Sequence, residues 1–131
     1  MDCSFNLSLN FIAGWLCFLF GAISGALIGL RFHRENWLGG YDSFCRRLLR
    51  LGHIAFFGLG LINILFAICA SFAPPTHFIQ AASLMLAGGA ATMPAVCFLS
   101  AWKPAFRHAF FMPVVLTAGG IGAFLFNWLN G

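Results

Sequence analysis

Long apolar runs alternate with short polar connections along the chain. Four almost continuously hydrophobic runs cover approximately residues 9–30, 48–72, 78–101 and 109–129. About 20 apolar residues is the length that an α-helix needs to cross the hydrocarbon of a bilayer. The runs lack the two-residue alternation of membrane β-strands. The pattern therefore predicts an all-α, integral membrane four-helix bundle with short loops, forming a single domain over residues 1–131.

Basic residues are confined to two of the three connections. Five arginines lie in or beside the first connection, and Lys103 and Arg107 lie in the third. Positive charge marks the cytoplasmic side of membrane proteins, so we expect both basic connections to be cytoplasmic and both chain ends to be outside. An even number of spans agrees with this N-out, C-out arrangement. We therefore predict a multi-pass protein of a bacterial-type inner (cytoplasmic) membrane.

Composition supports a location in the lipid bilayer. Hydrophobic residues make up 61% of the chain and charged residues 8%, with a mean hydropathy of +0.92. The net charge of +4 lies beside the spans, so it indicates orientation in the membrane rather than binding of nucleic acid. The acids Asp2, Glu35 and Asp42 all fall outside the spans, which disfavours an ion pump. The five cysteines lack a C-x-x-C pair and are interpreted as packing residues rather than metal ligands.

The first run carries a doubled G-x-x-x-G pattern. Gly21, Gly25 and Gly29 follow one another at four-residue spacing, which places them on one helix face. A face of small residues lets another helix approach closely in the bilayer. Its partner is either a helix of the same bundle or a helix of another chain, through other membrane protein subunits or self-association.

Small and polar residues form a seam along the second run. The seam has alternating three- and four-residue spacing and consists of His53, Phe56, Gly60, Asn63, Ala67 and Ala70. We expect Gly60 to be a packing position. An unpaired amide is costly in hydrocarbon, so we expect Asn63 to form a hydrogen bond to a neighbouring helix.

The third run contains small residues followed by Pro94. A proline lacks the backbone donor for the carbonyl four residues earlier, here that of Ala90, so we expect a kinked third helix. Some transporters use broken helices of this kind to line a solute site. A kinked helix that packs centrally and binds no solute is the structural alternative.

Arginines near the second helix are candidates for binding an anionic group. Arg46, Arg47 and Arg50 fall in its first turns, where cations oppose the helix dipole. Anionic phospholipid would compensate this charge, and Arg107 in the third connection is expected at the same membrane surface. Signalling of topology alone is the other interpretation of these residues.

Two histidines near the cytoplasmic boundary are candidate haem ligands. His53 and His108 are expected at similar depth, so their imidazoles facing each other across the bundle would suit haem b. The four arginines of the preceding paragraph would then lie near the propionates. Residues 50–58 resemble the histidine-bearing helices of membrane haem proteins, over one helix and one histidine. Interfacial histidines without a cofactor are the alternative.

The sequence carries no motif of an autonomous enzyme. It lacks a Ser-His-Asp set, an H-E-x-x-H motif, a phosphate-binding glycine loop and an EF-hand loop, so we predict no activity of the chain on its own. The leading hypothesis is a non-catalytic accessory or assembly subunit of a larger membrane complex, such as a respiratory complex. The alternatives are a haem b-binding electron-transfer subunit and a small-solute transporter.

Overall fold

Four long helices make up most of the structure, a computed structural model that describes the backbone of residues 3–130 and the side chains of residues 7–130. The helices are α1 (Cys3–Gly29), α2 (Phe44–Ala70), α3 (His77–Trp102) and α4 (Phe111–Asn130). Short 3-10 helices in the first and third connections comprise Trp37–Gly39 and Pro104–Phe110. No strand occurs within residues 3–130. All four helices are long and apolar enough to span a membrane, which confirms the predicted all-α four-helix fold.

Polar side chains and glycines set the helix boundaries. The Ser43 hydroxyl accepts a hydrogen bond from the Arg46 amide at 3.2 Å and so caps the start of α2. Thr76 caps α3 in the same way. Before α2, Leu38 and the two glycines that follow it all have positive φ angles. This conformation suits glycine but is costly for leucine, so other contacts of the first connection must hold this turn.

Helix α3 is the centre of the bundle. α1, α2 and α3 pack against one another, whereas α4 packs mainly against α3. In the 18-residue apolar stretch of each helix, 44% of the residues of α3 are buried, compared with 11% of those of the segment that contains α4. The buried residues of α4 form a stripe with seven-residue spacing, namely Pro113, Gly120 and Asn127. The α2 and α4 helices meet near the end of the bundle opposite the arginines, where the Phe66 and Phe124 rings pack edge-on at 5.5 Å. The bundle is open between the parts of these two helices that lie nearer the arginines.

Buried apolar residues form two clusters between the helices. We call the end of the bundle that carries the arginines the inner end, and the opposite end the outer end. The cluster towards the outer end contains Phe66, Ala70, Ile79, Ala82 and Leu86, and the second contains Cys17, Leu59 and Ala90. Many large apolar side chains on the outside of the bundle are exposed, as expected where lipid rather than water is the solvent.

Two glycines allow the closest approach between α1 and α2. A Cβ atom on Gly14 would lie 2.7 Å from the backbone oxygen of Gly60, and a Cβ atom on Gly60 would lie 3.0 Å from that of Gly14. The first distance is shorter than real Cβ atoms show, and the second is tighter than most of their contacts. The two helix backbones therefore touch at this point, as small residues permit in a bilayer.

The three glycines of the G-x-x-x-G pattern have different surroundings. A Cβ atom on Gly21 would meet the Phe57 ring at 2.7 Å, and one on Gly25 would meet the His53 ring at 2.6 Å. Gly29 is exposed and has nothing within 4 Å of its Cβ position. The contact between this face of α1 and α2 thus ends before Gly29, and packing of Gly29 against a helix of another chain stays a prediction.

Pro94 lies inside α3, which continues as a helix on both sides of it. Proline removes the amide that would bond the Ala90 backbone oxygen. The Cys17 thiol of α1 donates to this oxygen over 4.0 Å. A side chain from a neighbouring helix therefore replaces, in part, the hydrogen bond that the proline removes.

Candidate functional site

Three polar side chains from three helices meet inside the bundle. Asn10 Nδ2 donates to Asn63 Oδ1 at 2.7 Å and to the Ser83 backbone oxygen at 3.0 Å. The Ser83 hydroxyl donates in turn to Asn10 Oδ1. All three residues have 0% exposure. We call them the asparagine cluster, and at a rise of about 1.5 Å per residue they lie about 10 Å from the outer ends of their helices.

Every amide hydrogen of the asparagine cluster has an acceptor. Asn63 Nδ2 donates to the backbone oxygen of Leu59 at 2.9 Å and to that of Leu86 at 3.2 Å. The two hydrogens of Asn10 Nδ2 are used within the cluster. Buried amides are tolerated in an apolar medium when they are bonded in this way. The cluster therefore joins α1, α2 and α3, and its donors are engaged within the chain rather than directed to a solute.

A buried arginine organises the first connection. Arg46 is 3% exposed. Its Nε donates to the Trp37 backbone oxygen at 2.5 Å, and its Nη2 donates to the backbone oxygens of Arg34 at 2.5 Å and Glu35 at 3.1 Å. Since these oxygens all belong to residues 34–37, the guanidinium binds this loop to the start of α2. The hydrogen bonds also compensate the burial of its charge.

Aromatic rings cover two of the arginines. The Cζ atom of Arg46 lies 5.4 Å from the centre of the Trp37 ring and 6.0 Å from that of Phe32. The Cζ atom of Arg50 lies 4.7 Å from the Tyr41 ring, and its Nη2 donates to the Tyr41 backbone oxygen at 3.4 Å. Cation–π contacts of this kind favour one position of each ring. The first connection is therefore an ordered surface loop.

The four arginines predicted to bind an anionic group differ in what they offer to the membrane. Arg46 directs its guanidinium to backbone oxygens of the same chain, and Arg50 lies on Tyr41. Arg47 and Arg107 are exposed on the first turn of α2 and in the third connection. The structure thus gives Arg46 a role inside the loop and leaves Arg47 and Arg107 accessible to lipid headgroups.

An apolar groove opens beside the first connection. It has a volume of about 370 Å³ and lies where α1 faces the inner halves of α2 and α3. The rings of Phe20, Phe56 and Phe98 form a row, with centroids 6.0 and 5.9 Å apart, at its deep end. Arg31 and Trp37 lie at its other end, next to the membrane surface. We call this feature the inner groove.

The predicted haem ligands lie in different parts of the molecule. The His53 ring packs against α1, where its Nδ1 lies 3.1 Å from Ser24 Oγ, and it meets the Phe57 ring edge-on at 5.3 Å. His108 is exposed on the 3-10 helix that joins α3 to α4. His53 therefore faces α1, whereas the segment that carries His108 packs against α3 and α4, so the two imidazoles have different neighbours.

Two polar residues of α1 that contribute contacts were not among the residues predicted from the sequence. Asn10 completes the asparagine cluster and Ser24 contacts His53. A pattern that would have identified them is present. The positions with four- and three-residue spacing along α1 are Asn10, Gly14, Cys17, Gly21, Ser24 and Ile28. This seam faces the corresponding seam of α2, in which Asn63 was predicted to need a partner.

Comparisons with known proteins do not assign this chain to a family. No protein-family model, curated protein or solved structure matches it. Among the residues that the structure describes, no three His, Cys, Asp or Glu side chains come together in a group that could hold a metal ion. Its function is therefore inferred from the contacts of the chain itself.

Proposed function

We propose that this chain is a non-catalytic accessory subunit that binds another membrane protein side by side within the bilayer. The observation that carries the proposal is the open apolar groove between α2 and α4, which has a volume of about 460 Å³. We call it the partner groove. We propose that an apolar helix of the partner occupies it, since α2 and α4 run parallel and the groove between them is lined by residues 51–62 of α2, which is about three helical turns.

The lining of the partner groove favours a helix over lipid as its occupant. The groove contains the small residues Ala55, Gly58 and Ala118 among branched apolar side chains. A Cβ atom on Gly58 would have nothing within 4 Å, so its backbone is accessible from the groove. Helices associate in membranes where small residues allow close van der Waals packing, whereas lipid tails fill such a surface less completely. This supports a protein partner.

The internal polar groups give less support to the alternatives. A solute transporter needs polar groups open to its substrate near the middle of the membrane, and those of the asparagine cluster are bonded to one another and to the backbone. A haem held between His53 and His108 needs both imidazoles on one cavity, and they lie in different parts of the molecule. The accessory function needs neither feature.

Purification in mild detergent tests the proposal. The Cβ atom of Gly58→Leu would meet nothing within 4 Å in this chain, and Gly58 lines the partner groove. We therefore expect this variant to fold normally and to retain about one tenth as much partner as the wild type. Gly29→Leu is the matched control, because Gly29 is also an exposed helical glycine with nothing within 4 Å, and it lies outside the groove. We expect this control to retain the partner.

The amount of co-purifying protein, measured by quantitative mass spectrometry, gives the readout. A partner retained equally by Gly58→Leu and Gly29→Leu would contradict a role of the partner groove. A wild-type chain that runs as a monomer in its native membrane extract would contradict the accessory function. A complex made of two copies of this chain alone would replace it with self-association.

A further inference from the structure

We propose that the inner groove binds one anionic phospholipid of the leaflet next to the arginines, with an acyl chain along the groove and the lipid phosphate at Arg31. This site is separate from the partner groove, which lies between α2 and α4. The proposal therefore stands whether or not the chain has a protein partner. It rests on three features, namely the length of the groove, the charge at its end and the way in which that end is held.

The dimensions of the inner groove fit an acyl chain. Its walls are almost entirely apolar and include Ile23, Leu27 and Leu49. From the Phe20 ring at the deep end to the last residue of α1, Gly29, the helix rises about 14 Å at 1.5 Å per residue. One leaflet contributes about 15 Å of the bilayer hydrocarbon, half of about 30 Å. A lipid tail lying in the groove would thus extend from the membrane surface to the centre of the bilayer.

The charge at the surface end fits a phosphate. Arg31 is exposed and lines the groove, and its side chain has no hydrogen bond or ion pair to any residue that the structure describes. Its guanidinium is therefore free to form the two-pronged hydrogen bonds that arginine makes with phosphate. The buried charge of Arg46 is bound to uncharged backbone oxygens of the adjacent loop, so it adds to the positive potential there.

The surface end is preformed. Trp37 lines the groove beside Arg31, and Arg46 fixes Trp37 through a hydrogen bond to its backbone oxygen and a cation–π contact to its ring. Tryptophan favours the depth of the lipid headgroups. A site that is already ordered loses less entropy when a ligand binds. The buried arginine therefore acts as a positioning residue for the lipid site, although it does not face the lipid.

Native mass spectrometry of the delipidated protein, with added phosphatidylglycerol or phosphatidylcholine of identical acyl chains, tests this assignment. We expect the wild type to bind phosphatidylglycerol about fivefold more tightly, which corresponds to about 1 kcal/mol for one arginine at an anionic headgroup. Arg31→Gln should remove this preference. Arg107→Gln, which removes the same charge from an exposed arginine of the other basic connection, should keep it.

A second variant tests the groove itself. Leu27 is 58% exposed on its lipid-facing wall, so Leu27→Trp should occupy the space of the acyl chain and lower the binding of both lipids while the protein stays folded. Equal binding of the two lipids by the wild type would overturn the proposal. It would also be overturned if Arg107→Gln lost the preference as completely as Arg31→Gln, or if Leu27→Trp bound phosphatidylglycerol like the wild type.

Discussion

Polar residues inside this bundle hold the helices together through bonds that the apolar surroundings make hard to replace. Asn10 and Asn63 are fully buried and bond each other across α1 and α2. Arg46 is almost fully buried and bonds three backbone oxygens of the first connection. Water is excluded from such positions. When one partner of a hydrogen bond is removed, water therefore does not replace it, and the other partner is left unpaired. Each polar residue is thereby tied to a particular neighbour.

A double-mutant cycle on the two asparagines measures this coupling. We expect Asn10→Leu and Asn63→Leu each to lower the free energy of unfolding, because each leaves the other amide with an unfilled bond. The double variant should lose less than the sum, with a coupling of about 0.6–1.7 kcal/mol, the range of interhelical hydrogen bonds in membranes. Unfolding of the purified protein in mixed micelles with increasing denaturing detergent gives the four free energies.

A second cycle provides the control for the asparagine pair. Asn127 of α4 bonds Thr76 Oγ1 at 2.5 Å and is not part of the asparagine cluster, so Asn10→Leu combined with Asn127→Leu should be additive. Additive losses for Asn10 and Asn63 as well would show that their hydrogen bond does not contribute to stability.

The sequence of the chain predicts that Asn63 needs a hydrogen-bond partner, but it does not identify that partner. A lone amide in a long apolar run must be bonded, and the spacing of its seam fixes the face on which it lies. Which residue meets it depends on the relative depth and rotation of α1, which the periodicity of one helix does not specify. The burial of Arg46 was unpredictable for the same reason, since its partners are backbone oxygens of a loop without a sequence motif.

At the scale of the helix, the packing of α1 against α2 depends on the positions at which the two backbones can touch. Two glycines of the predicted face, Gly21 and Gly25, lie against side chains of α2. The contact between backbones lies instead at Gly14 and Gly60, which are separated from that pattern. A regular glycine spacing marks a face, but the point of closest approach depends on the crossing angle of the two helices.

Two glycine-to-alanine variants of α1 separate close packing from helix propensity. At Gly14 the added methyl group would lie 2.7 Å from the Gly60 backbone oxygen, which cannot move independently of its helix. We expect Gly14→Ala to lower the free energy of unfolding by about 1–3 kcal/mol, as overpacking does. Gly29→Ala meets nothing within 4 Å and should leave stability unchanged or raise it by up to about 1 kcal/mol through helix propensity.

Unfolding in mixed micelles compares these variants under identical conditions. Because the chemical change is the same at both positions, the difference between the two free energies of unfolding reports the surroundings of each glycine. A loss of stability at Gly29 equal to that at Gly14 would show that both glycines are needed for another reason, such as packing against a second chain.

At the scale of the whole molecule, the inner and outer ends have different properties. The inner end carries the two connections with all seven basic residues, the buried Arg46 and the inner groove. At the outer end, Thr76 of the short second connection bonds Asn127 near the end of α4.

The number and approximate length of the helices followed directly from the apolar runs. The packing of α4 mainly against α3 did not, because the buried stripe of Pro113, Gly120 and Asn127 marks a face of α4 without specifying which helix it meets.

The orientation of the molecule in the membrane decides which leaflet supplies the lipid proposed to bind at Arg31. The connections that carry the basic residues lie at the same end of the bundle, so we expect their charges to act together in keeping that end in the cytoplasm. We expect alkaline phosphatase fused after residue 131 to be active and the same enzyme fused after Arg107 to be inactive, because the phosphatase folds only after export. A fluorescent protein that folds only in the cytoplasm should give the reverse result at the two sites, which controls for expression. Activity of the phosphatase after Arg107 but not after residue 131 would invert the orientation, and the lipid bound at Arg31 would then have to come from the outer leaflet.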